Sequence, residues 1–264
     1  MTLPLLSVVY VNFRTPELVI RSVRSVLEHG LCDPGNVVIV DNMSGDNSAE
    51  LIIEALPDCR LIRATDNKGY GAGLNLGVQA TDSEFILCLN PDTYFEDDNL
   101  RSVIELMQDD KKVGLVGLDL FYPDGSRQYS ARRDYTYLDV LLRRTPIGKF
   151  RIFSKLVNRH LMKGSWANGA FDADWVIGTG FVVRSDAYTE VGGMDTDYFL
   201  YMEDVDLCMR LRKAGWRVVA MPNARLIHDH QRASATGILS RASKMHLRSL
   251  RTFIRKHGMS LWPS

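Results

Sequence analysis

Between residues 5 and 120, short apolar runs alternate with amphipathic segments in an unbroken series, and no other feature restricts the fold so tightly. Residues 5–11, 37–40, 60–64, 85–89 and 113–120 read as strands. Several are apolar at nearly every position, as strands covered on both faces must be. Thr15 and Pro16 mark a helix start, with Thr15 as the cap and Gly30 as the stop. Further helices are expected over residues 48–56, ended by Pro57, and over 71–80 and 100–107. Strict alternation of this kind specifies an α/β fold, a mainly parallel sheet with helices on both faces. Such sheets bind ligands just beyond the carboxyl ends of their strands, so the polar residues following each strand are the first candidates for function.

The second half is less regular. Pro123-Asp124-Gly125-Ser126 is a turn of the kind that joins antiparallel strands. Residues 174–184 read as strand material interrupted by Gly178-Thr179-Gly180, and 203–213 as a helix ended by Gly215. A late strand is expected over 217–221 and a terminal amphipathic helix over 238–254. With 264 residues, 45% apolar and 24% charged, the chain has the size and composition of one large globular enzyme domain. Its 32 basic and 32 acidic residues cancel, which argues against a nucleic-acid binder. Cys32, Cys59, Cys88 and Cys208 lack metal-ligand spacing and read as reduced thiols, the expectation for a cytoplasmic protein. The first residues do not form a signal peptide, and no apolar run nears the roughly 20 residues that span a bilayer.

Two acidic patches stand where chemistry is expected. Leu89-Asn90-Pro91-Asp92 ends an apolar strand, and Glu203-Asp204-Val205-Asp206 opens a helix. A carboxylate beyond a strand end suits a metal-bound diphosphate, and one at a helix start can be aimed into the same cleft as a general base. Each also has a plainer reading. Asp92 is a turn residue after Pro91, and first-turn acids complement a helix dipole. Asp41, after the second strand, either caps a polar turn or accepts hydrogen bonds from a nucleobase. Asn67-Lys68-Gly69-Tyr70-Gly71-Ala72-Gly73 combines glycines that admit close approach with a following helix N-terminus that favours anions, yet matches no dinucleotide or Walker pattern. His228, read as lying in a loop past the late strand, is a structural histidine or a ligand.

Taken in order, Asp41-Asn42-x-Ser44, Asn67-x-Gly69-x-x-x-Gly73-x-Asn75, Leu89-Asn90-Pro91-Asp92 and Glu203-Asp204-x-Asp206-Leu207 resemble the inverting glycosyltransferases of family 2. Gly192-Gly193-Met194-Asp195, Tyr198-Phe199, and Pro222 followed by His228 extend the resemblance over residues 6–234. The chain looks most like the rhamnosyltransferases of bacterial cell-surface polysaccharide synthesis.

The resemblance implies a GT-A fold over residues 1–264, with a nucleotide-binding half (1–120), an acceptor-binding half (121–230) and a basic C-terminal helix (231–264). It implies that Asp41 meets the base, that Asn67, Gly69, Gly73, Asn75 and Asn90 line the nucleotide cleft, and that Asp92 and His228 hold Mg²⁺ or Mn²⁺. Asn90 stands where many members carry an aspartate, which leaves one strong carboxylate ligand there. Asp204 would take the acceptor hydroxyl's proton in a single inverting displacement, with Glu203 orienting the site and Asp206 and Arg210 bracing the helix. No nucleophile–base pair for covalent catalysis is recognisable. The implied donor is dTDP-rhamnose and the implied acceptor a polyprenyl-diphosphate-linked glycan. A UDP-hexose donor, or an inactive nucleotide-sugar-binding protein, remains open. A nucleotidyltransferase is disfavoured, because Val11-Asn12-Phe13-Arg14 has no glycine.

From Gln231 onward there is no acid, while Arg232, Arg241, Lys244, Arg248, Arg251, Arg255 and Lys256 are basic. An apolar stripe through Leu239, Ala242, Met245, Leu250, Phe253 and Ile254 packs on the domain or contacts the anionic inner leaflet, with residues 135–163 as a second basic–apolar stretch.

Overall fold

The computed structural model describes residues 5–144, 150–229 and 241–262. β1 (Leu6–Asn12) is flanked by β2 (Val37–Asp41) and then β3 (Arg60–Arg63) on one side and by β4 (Phe85–Leu89) on the other, all parallel. The connections run through α1 (Pro16–Glu28), α2 (Ser48–Ala55) and α3 (Tyr70–Val78). A short β5 (Thr93–Tyr94) and α4 (Arg101–Asp109) lead from β4 to β6 (Val113–Phe121). Successive side chains of a strand point to opposite faces. In β1, Leu6, Val8 and Tyr10 enter a core with Val19, Val23 and Val103, whereas Val9 and Val11 enter one with Leu74 and Val78. The expected first-half strands and helices are therefore present, and both sheet faces are covered.

Two features of the second half were not legible in the sequence. β11 (Gly180–Arg184) inserts antiparallel between β4 and β6, so the sheet is mixed. Its pattern of apolar residues is that of any buried strand, and direction leaves no trace in such a pattern. The late strand, β12 (Arg217–His228), is more than twice its expected length. It runs parallel to β6, breaks register between Ala220 and Arg225 where Asn223 takes φ +70°, and resumes to pair His228 with Thr93 of β5. His228 is thus the last residue of a strand rather than part of a loop.

The remaining elements wrap this sheet. β7 (Arg127–Gln128) returns along β6 through the expected turn, in which Gly125 has φ +80°. β8 (Ala131–Arg132) pairs with β10 (Trp175–Val176) as a small second sheet, and β9 (Phe171–Asp172) joins β12. α5 (Tyr137–Arg144), α6 (Ser154–His160), α7 (Ser185–Glu190), α8 (Glu203–Lys213) and α9 (Arg241–His257) complete the chain. Residues from α8 (Leu207), α9 (Leu250, Phe253) and β10 (Trp175) share one apolar cluster with Val9 of β1.

One local reading needs correction. Thr15 occupies the cap position of α1 without capping; its hydroxyl and N–H donate to Asn12 Oδ1 instead. The apolar stripe of the terminal helix packs inward through Leu250 and Phe253, the self-packing alternative. Leu239, Arg232, residues 145–149 of the second basic–apolar stretch and the helix start at 238 lie outside the described residues. All four cysteines are free thiols.

Candidate active site

The site is assembled at the carboxyl ends of β1, β2 and β4. Asp41, the last residue of β2, is buried and accepts from Asn12 Nδ2 at 2.8 Å and from the Ser44 hydroxyl at 2.5 Å, while Ser44 N–H donates to its second oxygen at 3.2 Å. The next residue, Asn42, donates to Asn67 Oδ1 and to the Gly69 carbonyl. Gly69 has φ +101°, and a β-carbon there would sit 2.1 Å from the Phe199 carbonyl oxygen. That carbonyl accepts the Tyr70 N–H at 3.1 Å. Only glycine fits where this loop presses against the segment leading into Glu203. Gly73 is constrained less severely, by packing alone: its added β-carbon would meet Val11 Cγ1 at 2.8 Å.

The two acidic patches are linked through one short segment. Asn90 N–H donates to the Thr179 carbonyl at 2.9 Å, and the preceding N–H, that of Gly178, donates to Asp204 Oδ2 at 2.9 Å. The glycines that interrupt the 174–184 strand pattern are what allow this: a β-carbon on Gly178 would lie 3.1 Å from Asp204 Cβ.

Asp92 and His228 meet as the resemblance implies, with Asp92 Oδ2 3.3 Å from His228 Nε2. The histidine is clamped from behind by Gln128 of β7. Gln128 Nε2 donates to the His228 carbonyl at 2.9 Å, which directs its Oε1 to His228 Nδ1 at 2.7 Å. A proton on Nδ1 satisfies that contact and turns the Nε2 lone pair toward Asp92. This is the outer-shell arrangement that orients a metal-ligating histidine. One carboxylate oxygen and one imidazole nitrogen at this separation suit adjacent positions around a small divalent cation, with bonds of about 2.1 Å, the rest of the shell left to phosphate and water. Among the described residues no third histidine, cysteine or carboxylate joins the pair. Gln128 carried no sequence signal; it lies in a two-residue strand.

Glu203 and Asp204 open α8 after two consecutive residues, Tyr201 and Met202, with φ +70° and +71°. Non-glycine residues rarely accept this backbone, and such strain collects at functional sites. Glu203 is buried with Oε2 unpartnered; burial first, then the Asp204 charge, pushes its carboxyl well above the ordinary range. Asp204 is half-buried and is also raised by desolvation, but the N–H groups of Gly178 and Val205 (2.8 Å) and the Arg132 charge oppose that rise. Hydrogen bonds to the charged form favour ionisation, so of the two acids Asp204 is the more readily ionised and Glu203 the more readily protonated. The Tyr70 hydroxyl, buried and without a hydrogen-bond partner, feels both acids and is held protonated by burial first.

Other candidates serve the frame. Asn75 does not reach these groups with its amide: Nδ2 donates to the Met194 carbonyl at 2.8 Å, and Oδ1 accepts from Tyr188 OH at 2.6 Å and Met194 N–H at 2.9 Å. Asp206 binds Arg210 Nε and His257 Nε2, each at 2.6 Å, tying α8 to α9.

The fold and these motifs define a sugar-transfer enzyme, and similarity to known proteins agrees. The chain belongs to glycosyl transferase family 2, whose model matches residues 7–178. It is 30% identical over 220 residues to the N-acetylglucosaminyl-diphospho-decaprenol L-rhamnosyltransferase of Mycobacterium tuberculosis, covering 77% of this chain and 69% of that protein. It is also 30% identical over 210 residues to the rhamnosyltransferase WbbL of Escherichia coli K12, covering 73% and 72%. Among solved structures it superposes on the mannosyltransferase PcManGT of Pyrobaculum calidifontis, in complex with GDP-Man and Mn²⁺, with a TM-score of 0.59 at 16% identity, covering 87% of this chain and 58% of that one. GalNAc-T7 with UDP, GalNAc and Mn²⁺ gives 0.64 at 15%, covering 94% and 48%. At these identities the two structures establish the GT-A fold alone. Among the described residues no helix is long and apolar enough to cross a membrane.

Proposed function

We propose that the chain transfers L-rhamnose from dTDP-rhamnose to a polyprenyl-diphosphate-linked glycan at the cytoplasmic side of the membrane, inverting the anomeric centre. The observation that supports the mechanism is the Asp204 carboxyl, which accepts from two backbone N–H groups at the end of the link from Asn90. The rhamnosyl assignment draws support from the two relatives named as rhamnosyltransferases.

Asp41 and the loop from Asn67 to Gly73 line the nucleoside, and Asn90 flanks the diphosphate. Asp92 and His228 would hold Mg²⁺ or Mn²⁺, which when bound neutralises charge on the departing diphosphate. Asp204 accepts the proton of the acceptor hydroxyl as its oxygen bonds to the anomeric carbon. The bond from that carbon to the diphosphate oxygen breaks with its electron pair leaving on the nucleotide. Glu203, protonated and buried, keeps a second negative charge away from Asp204, while Asn75 and Asp206 fix the elements carrying the site.

A donor panel tests the reading: dTDP-rhamnose, UDP-hexoses and GDP-mannose with a polyprenyl-diphosphate-linked N-acetylglucosamine acceptor, following nucleotide release and product anomer by NMR. The expected result is fastest release from dTDP-rhamnose with inverted product. Preference for a UDP-hexose would replace the donor, and a retained anomer would rule out the single displacement.

A further inference from the structure

We infer that α9 and the chain end that follows it form a surface that seats this enzyme reversibly on an anionic lipid bilayer. α9 is divided by face. On its inner side Leu250 and Phe253 are buried in the core, Ser249 Oγ donates to the Leu200 carbonyl at 2.8 Å, and His257 reaches Asp206. On its outer side Lys244, Arg248, Arg251 and Arg255 are exposed. Their spacing of four, three and four residues places them on one helical stripe. None is ion-paired within the described residues, and α9 contains no acid to neutralise them.

Exposed apolar groups follow α9 in the sequence. Leu261 and Trp262, a few residues past Arg255, are 68% and 69% exposed. Ser260 bridges to Thr136, its carbonyl accepting the Tyr137 N–H at 3.0 Å, so the chain end is fastened to the start of α5. There Tyr137 and Leu141, one turn apart, are 43% and 49% exposed. Two segments more than a hundred residues apart in sequence, each with exposed apolar side chains, are thereby held together.

The occupant follows from the chemistry. The apolar side of α9 is already packed, so the helix has no stripe left to insert. What remains is a row of unneutralised cations, followed in the chain by an exposed leucine and tryptophan. Basic side chains near an anionic leaflet each add about fivefold to partitioning, and tryptophan settles at the headgroup boundary. The inference borrows its purpose, access to a lipid-linked acceptor, from the proposed function, but its test needs neither donor nor acceptor.

The experiment is co-sedimentation of the full chain with sucrose-loaded vesicles of phosphatidylglycerol and phosphatidylcholine, against phosphatidylcholine alone. Binding to the anionic vesicles at low salt and release at high salt are expected. R248E/R251E should lower the partition coefficient by at least about tenfold, at unchanged melting temperature. L261S/W262S should lower it several-fold and abolish the blue shift of tryptophan emission on vesicles. No sedimentation at low salt, equal binding by R248E/R251E, or a dimer in solution that R248E/R251E dissociates would overturn the inference.

Discussion

The two carboxylate centres use the same side-chain chemistry in opposite settings. Asp92 is 22% exposed, sits at a strand end, and faces a histidine whose other nitrogen is clamped by Gln128. Glu203 and Asp204 sit at a helix start, where burial raises both and two backbone N–H groups favour the charged form of one of them. Under the proposed function the first centre receives a charge from outside with its own groups fixed, and the second takes up a proton. On that proposal, burial separates a binding carboxylate from a proton-accepting one more clearly than residue type does.

The strongest way to break this comparison is Asp204→Asn. Turnover should fall by at least about two orders of magnitude, the usual scale for a general base, with nucleoside-diphosphate affinity unchanged. Because desolvation raises Asp204, the acid limb of wild-type kcat against pH should lie above the ordinary aspartate range, activity being lost as pH falls through it. Full turnover in a folded Asp204→Asn protein would move the base elsewhere.

The binding centre should answer to a different measurement. His228→Ala and Asp92→Ala should weaken Mn²⁺-dependent binding of dTDP by calorimetry, because each removes half of the protein's donor set. Gln128→Ala leaves both donors in place and should still cost about tenfold in Mn²⁺ affinity, the lower end of what outer-shell partners contribute. Metal-free dTDP binding should not move in Gln128→Ala. If it falls in parallel, Gln128 supports the fold rather than the orientation of His228.

How far the site was legible follows the same division. Asp92, Glu203 and Asp204 could be named as candidates because the chemistry that a strand end or a helix start can host is local. The 203–213 helix was expected at its observed bounds. The partners that give these acids their roles are not local. Gln128 reaches His228 across a hundred residues, and Gly178 reaches Asp204 through a glycine pair that sequence shows only as a broken strand. The antiparallel β11, which holds Thr179 beside Asn90, leaves no mark in composition. Asn75 shows the converse: its place in the motif suggested ligand contact, and its amide is spent on Met194 and Tyr188.

The smallest effect expected is also the one that isolates burial. Glu203 carries a carboxyl whose folded value is raised above the roughly 4.3 of an unfolded chain. Between those two values the unfolded chain has released a proton that the folded protein retains. Stability then falls as pH rises through that window, since the folded state binds more protons. Glu203→Gln stays neutral at every pH and removes this dependence. The variant should therefore match wild type at the acid end and exceed its melting temperature toward neutral pH, by about 2–4 °C for each kcal/mol relieved. Its turnover should change far less than that of Asp204→Asn, since the proton acceptor is intact. Thermal unfolding across a pH series decides the point. Curves that stay parallel for the two proteins would mean that Glu203 is ionised in the folded state, and the division of labour between the neighbouring acids would have to be reversed.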